Sequence, residues 1–458
     1  MPNRVEISQN TRLLIFLGLA VILMGMGLVL SPSLSALWEG YKIFLTHPGT
    51  LDFDGLKQAG HFGTAFFNAG LLLVTALGVY YATGTDIQGG QIAAAMMMMG
   101  FGFYGKNMLN VCFPIIGVFL RTWRRGKSLS SVSAMACFST AMAPVFSVLA
   151  FGTKPLDPGS PLAISVGALA AILAGIIFAA MISYLPTLHH GYELFTAGFA
   201  AGLSCVIINC LLVAFGLGHE KYPYTPADYV SGSNVQLGLL LLVLFAYLTV
   251  IGLIFGGGKQ YKKMLLYRSK GGNYVEKFGF SACLINMGEI GILCLGYVFI
   301  TGGQLCGPVY ACIWTAVGFA MNGVSVRMFL PVMVGVYITA FVTGGMAALF
   351  AGEAFLAAAL AKAASRGMLL CAIFACGLAP VVGRRGAAAG IFVAAEHCCL
   401  VGNIGVLHGW MSLYNNGLSL SLVAVFLYPA YVRIGEKYHE KIVAEEAKEG
   451  ARKKVGKA

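Results

Sequence analysis

The chain reads as an all-α, polytopic membrane protein with about fourteen transmembrane helices, built from two inverted-topology repeats of about six helices each. Three observations predict this class. Hydrophobic residues fill 58% of the 458 positions and charged residues only 10%, and one soluble core cannot hide that much apolar surface. Apolar runs such as Thr11 to Leu30, Ile164 to Leu185 and Leu237 to Phe255 approach or reach the roughly 20 residues that cross the hydrocarbon as a helix. The chain also matches itself at an offset of 218: residues 62–118 and 280–336 share 14 identities in 57 aligned positions. Asn68 falls on Asn286, Gly70 on Gly288, Gly100-Phe101 on Gly318-Phe319 and Gly105 on Gly323, and the same shift carries His190-Gly191 onto His408-Gly409.

Taken in order, the predicted crossings are 12–32, 63–83, 89–105, 107–120, 129–151, 162–185, 193–216, 235–256, 279–301, 304–322, 326–350, 367–383, 386–402 and 411–432. The first is a retained helix rather than a leader: Arg4 and Arg12 precede it and Ser33-Leu34-Ser35-Ala36 resembles a cleavage site, but its apolar core exceeds the usual length of about 7–15 residues. Residues 1–56 then form an N-terminal helix and external loop, 57–217 the first repeat, 218–274 a linking helix with a basic cytoplasmic loop, 275–434 the second repeat and 435–458 a charged cytoplasmic tail.

Cytoplasmic loops carry an excess of Lys and Arg. With both termini inside, 23 of the 30 basic residues fall on the cytoplasmic side and seven outside: Lys42, Lys57, Lys106, Lys154, Lys221, Lys362 and Arg366. The expected location is a bacterial cytoplasmic membrane. On this arrangement seven crossings separate the starts of the two copies, an odd number, so one copy lies upside down relative to the other. Such pairs place a solute site near the midplane, at the interface between the copies.

The net charge of +12 is orientation charge facing anionic lipid rather than a nucleic-acid surface. The twelve cysteines lack a paired C-x-x-C framework and read as small apolar fillers or reduced thiols. No metal site or cofactor is expected, and no phosphate loop, zinc motif or nucleophile constellation points to an enzyme. Membrane lipid and a small-molecule or ion substrate are the expected partners, with a homo-oligomer as a candidate assembly.

Polar side chains inside apolar segments need a partner or a water-filled space. The candidates for a substrate pathway are Asn68, Asn286, Glu289, Asn322 and Lys106. Asn68 and Asn286 are paired by the repeat, so their amides are placed either to hold a polar solute or to bond between helices. Glu289, one turn beyond Asn286, stands where the first copy has Leu71; it is a candidate ion or proton site, as are adjacent Glu396 and His397, of which at most one shares the pathway face of its helix. His190 and His408, before the last helix of each copy, are interfacial residues or candidates for gating. The third and fourth segments of each copy are short and glycine-interrupted, at Gly100, Gly102 and Gly105 and at Gly318 and Gly323, which suits either close packing or broken helices lining a cavity.

The sequence resembles, over nearly its whole length, a bacterial family of multi-pass membrane proteins with a domain of unknown function, and that resemblance implies no activity. The segments Gly102-Phe103-Tyr104-Gly105 and Gly318-Phe319-Ala320-Met321-Asn322-Gly323 are similar to a glycine-aromatic-asparagine-glycine turn of urea transporters, and Thr140-Ala141-Met142-Ala143-Pro144-Val145-Phe146 resembles their threonine-proline-phenylalanine signature. The fainter likeness implies two inverted halves around an oxygen-lined slot flanked by aromatic rings. The second copy departs from it, reading Leu378-Ala379-Pro380-Val381-Val382. The expected function is a transporter or channel for a small polar solute. An ion-coupled secondary transporter using Glu289 or Glu396 and His397, and a non-transporting scaffold or signalling protein, are the alternatives.

Overall fold

The computed structural model describes residues 7–49, 51–152, 156–218, 233–269, 271–427 and 430. The Glu- and Lys-rich tail expected over 435–458, together with Lys154 and Lys221, lies outside the described residues. Within them the chain is helical and contains no strand.

The first half runs α1 (Gln9–Val29), α2 (Leu34–Thr46), α3 (Gly55–Gln58), α4 (Phe62–Ala82), α5 (Gly89–Gly100), α6 (Cys112–Arg124), α7 (Ser133–Ser139), α8 (Ala143–Phe151), α9 (Pro161–Met181), α10 (Pro186–His189) and α11 (Thr196–Ala214). The second half runs α12 (Ser233–Ile254), α13 (Gly258–Leu266), α14 (Tyr274–Phe278), α15 (Phe280–Ile300), α16 (Gly307–Phe319), α17 (Val326–Phe350), α18 (Phe355–Ala364), α19 (Arg366–Phe374), α20 (Ala379–Arg385), α21 (Ala387–Ile404) and α22 (Asn415–Leu427). Helix α1 begins on Ser8, whose hydroxyl accepts from the Thr11 amide at 3.2 Å. Asp54 and Asn273 start α3 and α14 in the same way, accepting from Leu56 and Val275; side-chain oxygens of this kind satisfy otherwise orphaned N–H groups.

Among the described residues, ten helical segments are long and apolar enough to cross a membrane. The other four expected crossings fall on shorter helices: α5 with 12 residues and α6, α16 and α22 with 13 each. At 1.5 Å per residue these reach roughly 20 Å, short of the full hydrocarbon thickness. The expected crossings at 129–151 and 367–383 are interrupted: short 3₁₀ turns at Thr140–Met142 and Ala375–Leu378 separate α7 from α8 and α19 from α20. Pro144 and Pro380 stand in the first turn after each break, where a missing N–H costs nothing. Helix α11 starts at Thr196, so residues 193–195 precede the span instead of opening it.

Helices α5 and α16 cross through reciprocal glycines. A Cβ on Gly100 would stand 2.7 Å from the Cβ of Trp314, and one on Gly318 would stand 2.7 Å from the Cβ of Met96; Met96 and Trp314 are themselves 218 apart. The ends repeat the pattern. Gly89 abuts the Met321 carbonyl and the Asn273 side chain, while Gly307 abuts the Phe103 carbonyl and the Asp54 side chain. The pairing reaches helices outside the aligned stretch: Gly27 of α1 packs on Phe67 of α4, and Gly252 of α12 on Ile285 of α15, the two glycines being 225 positions apart. A second crossing joins α11 to α22, where a Cβ on Gly198 would lie 2.6 Å from the Gly417 Cα and one on Gly417 would lie 2.7 Å from the Gly198 Cα.

Small residues at such crossings let backbones approach in an apolar solvent that gives helices no hydrophobic reason to associate. Gly198→Val is expected to lower thermal stability in detergent by the roughly 1–3 kcal/mol typical of overpacking. Gly78→Ala, at a helical position with open space around it, is the control and is expected to leave the midpoint unchanged or higher. Equal midpoints for the two variants contradict the tight crossing.

Candidate functional site

The two glycine crossings bring six aromatic rings into one seam. Phe101, following α5, lies 4.9 Å from Tyr414 and 6.0 Å from Phe374 between ring centroids. Phe319, at the end of α16, lies 4.5 Å from Phe195 and 6.2 Å from Phe138. Phe195 and Phe374, at 6.4 Å, join the two triads. Each triad takes one ring from a short helix, one from an interrupted helix and one from the entry to the half's last helix. Between them lies a void of about 10 Å³ lined by Met97, Phe195, Phe319, Phe374, Tyr414 and Asn416. This is at the lower limit of space for one water molecule, so the seam is closed.

On the side where α19 begins, a cavity of about 180 Å³ abuts the seam, sharing Phe374 and Asn416 with that void. Its polar lining comes from Asp52, Tyr104, Arg366, Asn415 and Asn416. Arg366 donates to Asp52 at 3.1 Å, and Tyr104 donates to the Leu51 carbonyl. Behind the seam, Lys106 is fully buried: its Nζ donates to the Tyr414 hydroxyl at 2.6 Å and lies over the rings of Tyr414 and Phe101 at 4.5 and 4.9 Å. The sequence places Lys106 at the external end of two short segments; folding of the turn between α5 and α6 carries it inward, onto the aromatic faces that favour a cation.

The symmetric asparagines have a definite job. The Asn68 amide donates to the carbonyls of Gly102 and Lys106 at 2.7 and 2.8 Å, and that of Asn286 donates to Ala320 and Val324, both at 2.7 Å. The acceptors are themselves 218 apart. Both side chains are fully buried and bracket the carbonyls freed where the short helices end. They line neither the cavity nor the void, so the geometry matches the bonding role rather than direct solute contact.

The other sequence candidates separate. Glu289 is half-buried on α15 and meets the Tyr261 hydroxyl of α13, away from the seam. Asn322 is half-buried in the turn after α16, its N–H donating to the Phe319 carbonyl at 2.8 Å. Of the adjacent pair, His397 is fully buried with Nδ1 2.8 Å from the Ser419 hydroxyl, while Glu396 is only half-buried. His408 is buried, with Nε2 2.9 Å from the Asn415 side-chain oxygen. Its counterpart is not His190. That residue is exposed at φ +49°, with its carbonyl accepting from Arg384, whereas His189 is buried with Nε2 3.0 Å from the Thr196 hydroxyl. Both bonds span seven residues, so the equivalence runs one position beyond the offset of 218.

His189 also lies 3.2 Å from the Glu193 carboxylate, and Glu193 is itself 3% exposed. The other Glu193 oxygen accepts from the Phe195 N–H. Burial pushes the Glu193 carboxyl up to about 7, against the lowering pull of that N–H. Burial, with the charges of His190 and Arg384 adding to it, holds the His189 imidazole down to about 4. Near neutrality the histidine is neutral and the carboxyl titrates. In the second half the place of Glu193 is taken by Ser412.

Sequence reasoning missed His189, Glu193, Tyr414, Asn415 and Asn416. The signal for the last two was present, since Asn415-Asn416-Gly417 opens an apolar helix and buried amides need partners. Glu193 had none, lying at a predicted helix end where a carboxylate is ordinarily solvated.

These features define a polytopic, all-helical membrane protein whose halves meet at a closed aromatic seam. The family model described as "Protein of unknown function (DUF1576)" matches residues 33–214 and 258–432, and the chain belongs to that family. No curated protein and no solved structure matches it; the likeness to urea transporters gains no support beyond the short motifs.

Asn68→Leu and Asn286→Leu each strip two buried carbonyls of their donor. Both are expected to cost stability by roughly 2–6 kcal/mol, and by similar amounts, because each unmet group costs about 1–3 kcal/mol; a loss at one site alone, read by thermal melting, contradicts the symmetric bracket.

Glu193 binds its proton more tightly folded than unfolded. Its contribution to stability is therefore intact below the ordinary carboxylate range and is lost as pH rises through about 7. Glu193→Gln is expected to melt close to the wild type at pH ~5 and above it at pH ~8, by up to roughly 3 kcal/mol. Identical pH profiles in a thermal-shift series rule this out.

Proposed function

We propose that the protein is an integral membrane transporter or channel for a small polar solute, with the pathway running between two inverted repeats along the aromatic seam. The observation that carries this reading is the cavity at Asp52, Tyr104, Arg366 and Asn415, which ends on a closed double triad of rings contributed equally by both halves. A polar vestibule stopped by side chains at the pseudo-symmetric interface is what a pathway in its shut state requires.

The inverted arrangement is supported by reciprocal contacts at a constant offset and by loop charge. The segment carrying α13 holds Lys259, Lys262 and Lys263, which suits the cytoplasmic face, while its counterpart α2 stands on the opposite side. Counting α5, α6, α16 and α22 as short crossings gives fourteen and puts both termini inside a bacterial cytoplasmic membrane. No reaction chemistry is assigned to the site; its role is passage.

Proteoliposomes holding the full chain, challenged in a stopped-flow swelling assay with urea, glycerol, glycine and sodium acetate, are expected to re-swell several-fold faster than empty liposomes for at least one solute. Phe374→Ala, which opens the seam between the triads, is expected to raise that rate or to broaden the range of solutes. Rates equal to those of empty liposomes across small neutral, zwitterionic and anionic probes sink the reading and favour a scaffold.

A further inference from the structure

The strongest unassigned feature lies at the opposite end of the α19–α20 segment from the cavity. There Glu193 and His189 are both buried, 3.2 Å apart. On the same stretch are His190 and Tyr192; from α20 come Arg384, whose charge reaches His189 and which donates to the His190 carbonyl at 3.0 Å, and Arg385, which donates to the Tyr192 hydroxyl at 3.1 Å. From α11 comes the Thr196 hydroxyl, and from α22 the hydroxyl of Ser421. No second carboxylate is among them. A charge on Glu193 is thus met at contact distance by uncharged partners.

We propose that the His189–Glu193 pair is the proton-binding site that couples solute movement to a proton gradient. The proposal rests on the transport reading and supplies its driving ion. Two geometric facts carry it. The site breaks the two-fold frame: the repeated histidine bonds to Thr196 in one half and Asn415 in the other, yet only His189 has an acid beside it, Ser412 standing at the matching place. The acid is also wired to the seam, because one Glu193 oxygen holds the backbone N–H of Phe195, whose ring closes on Phe319 at 4.5 Å.

The proton balance is simple. With Glu193 ionised, its Oε2 accepts from the Phe195 amide while its Oε1 faces His189 Nε2 at 3.2 Å, a nitrogen that also pairs with the Thr196 hydroxyl at 3.0 Å; a bond to a charged acceptor is roughly twice as strong as a neutral one. When one proton binds the carboxylate, the charge disappears, the pair becomes neutral, and the hold on Phe195 weakens. The inner ring of the seam is then freer to leave Phe319. One proton enters and one leaves per cycle, and no other reactant is needed. Glu289, an acid that the sequence singles out, meets the Tyr261 hydroxyl of α13 instead.

The full-length protein in nanodiscs, followed by infrared difference spectroscopy between pH ~6 and pH ~8, tests the site without a known solute. A carboxylic-acid C=O band that disappears on raising the pH, and is missing in Glu193→Gln but retained in Glu289→Gln, is the expected result. In pyranine-loaded proteoliposomes, a probe from the swelling panel that moves down its gradient is expected to carry protons with it, and Glu193→Gln is expected to lose most of that proton signal. A band unchanged in Glu193→Gln, or equal proton movement in wild type and Glu193→Gln, overturns the coupling site even where solute flux persists. Absence of all solute flux from the wild type overturns transport, and coupling with it; that outcome is separate because the infrared band reports Glu193 alone.

Discussion

The structure depends on one constraint: two short helices must end inside an apolar medium without leaving their carbonyls bare. The last carbonyls of any helix lack an intrahelical partner, and burial inside the packed protein leaves no bulk water to serve them. Asn68 and Asn286 meet the need with two amide hydrogens each, at 2.7–2.8 Å. With the ends satisfied, α5 and α16 can stop short and lie side by side through Gly100 and Gly318. That crossing sets Phe101 and Phe319 on the seam, and the seam gives the halves something to close on.

Glycine makes the second crossing for the same reason. Gly198 and Gly417 bring α11 and α22 to near backbone contact, and the residues just before each helix, Phe195 and Tyr414, then face the rings delivered by α16 and α5. Because the crossings fix the backbones, the ring positions follow from the chain entering each helix. A side chain at any of the four glycines separates the elements that carry the rings.

The recurrence at 218, with Asn68 on Asn286, was legible in the sequence because identical residues at a fixed spacing stand in helices that pack together; which of two roles the amides take was not. What was not legible follows from insertions. The first helix of each half is offset by 225, and the break before Pro144 and Pro380 by 236, while the buried histidines are offset by 219. A scan at 218 therefore pairs His190 with His408, though His189 makes the equivalent bond. Helix boundaries failed for a related reason: hydropathy runs straight through Thr140–Met142 and Ala375–Leu378, because a 3₁₀ turn built from apolar residues has no compositional mark. Lys106 was misplaced by the rule that a lysine at a segment end faces water; the aromatic faces of Phe101 and Tyr414 are not visible as neighbours in sequence, Tyr414 being 308 residues away.

Symmetry and asymmetry divide the work between scaffold and chemistry. At Asn68 and Asn286 and at Gly100 and Gly318, where the two halves carry the same residue, that residue holds backbone or permits contact. Polar differences fall elsewhere: Lys106 stands against Val324, Tyr414 against Phe195, and Glu193 against Ser412. Two of these join directly, since Lys106 bonds Tyr414, and the third grips the N–H of Phe195. A scaffold with two equivalent halves has equal reason to favour either orientation of its seam. Placing a buried lysine behind one triad and a buried carboxylate behind the other removes that equivalence, because any field or proton acting on one end acts differently on the other. The chain thus keeps matching residues where backbones must fit and departs from them at the side chains behind the rings.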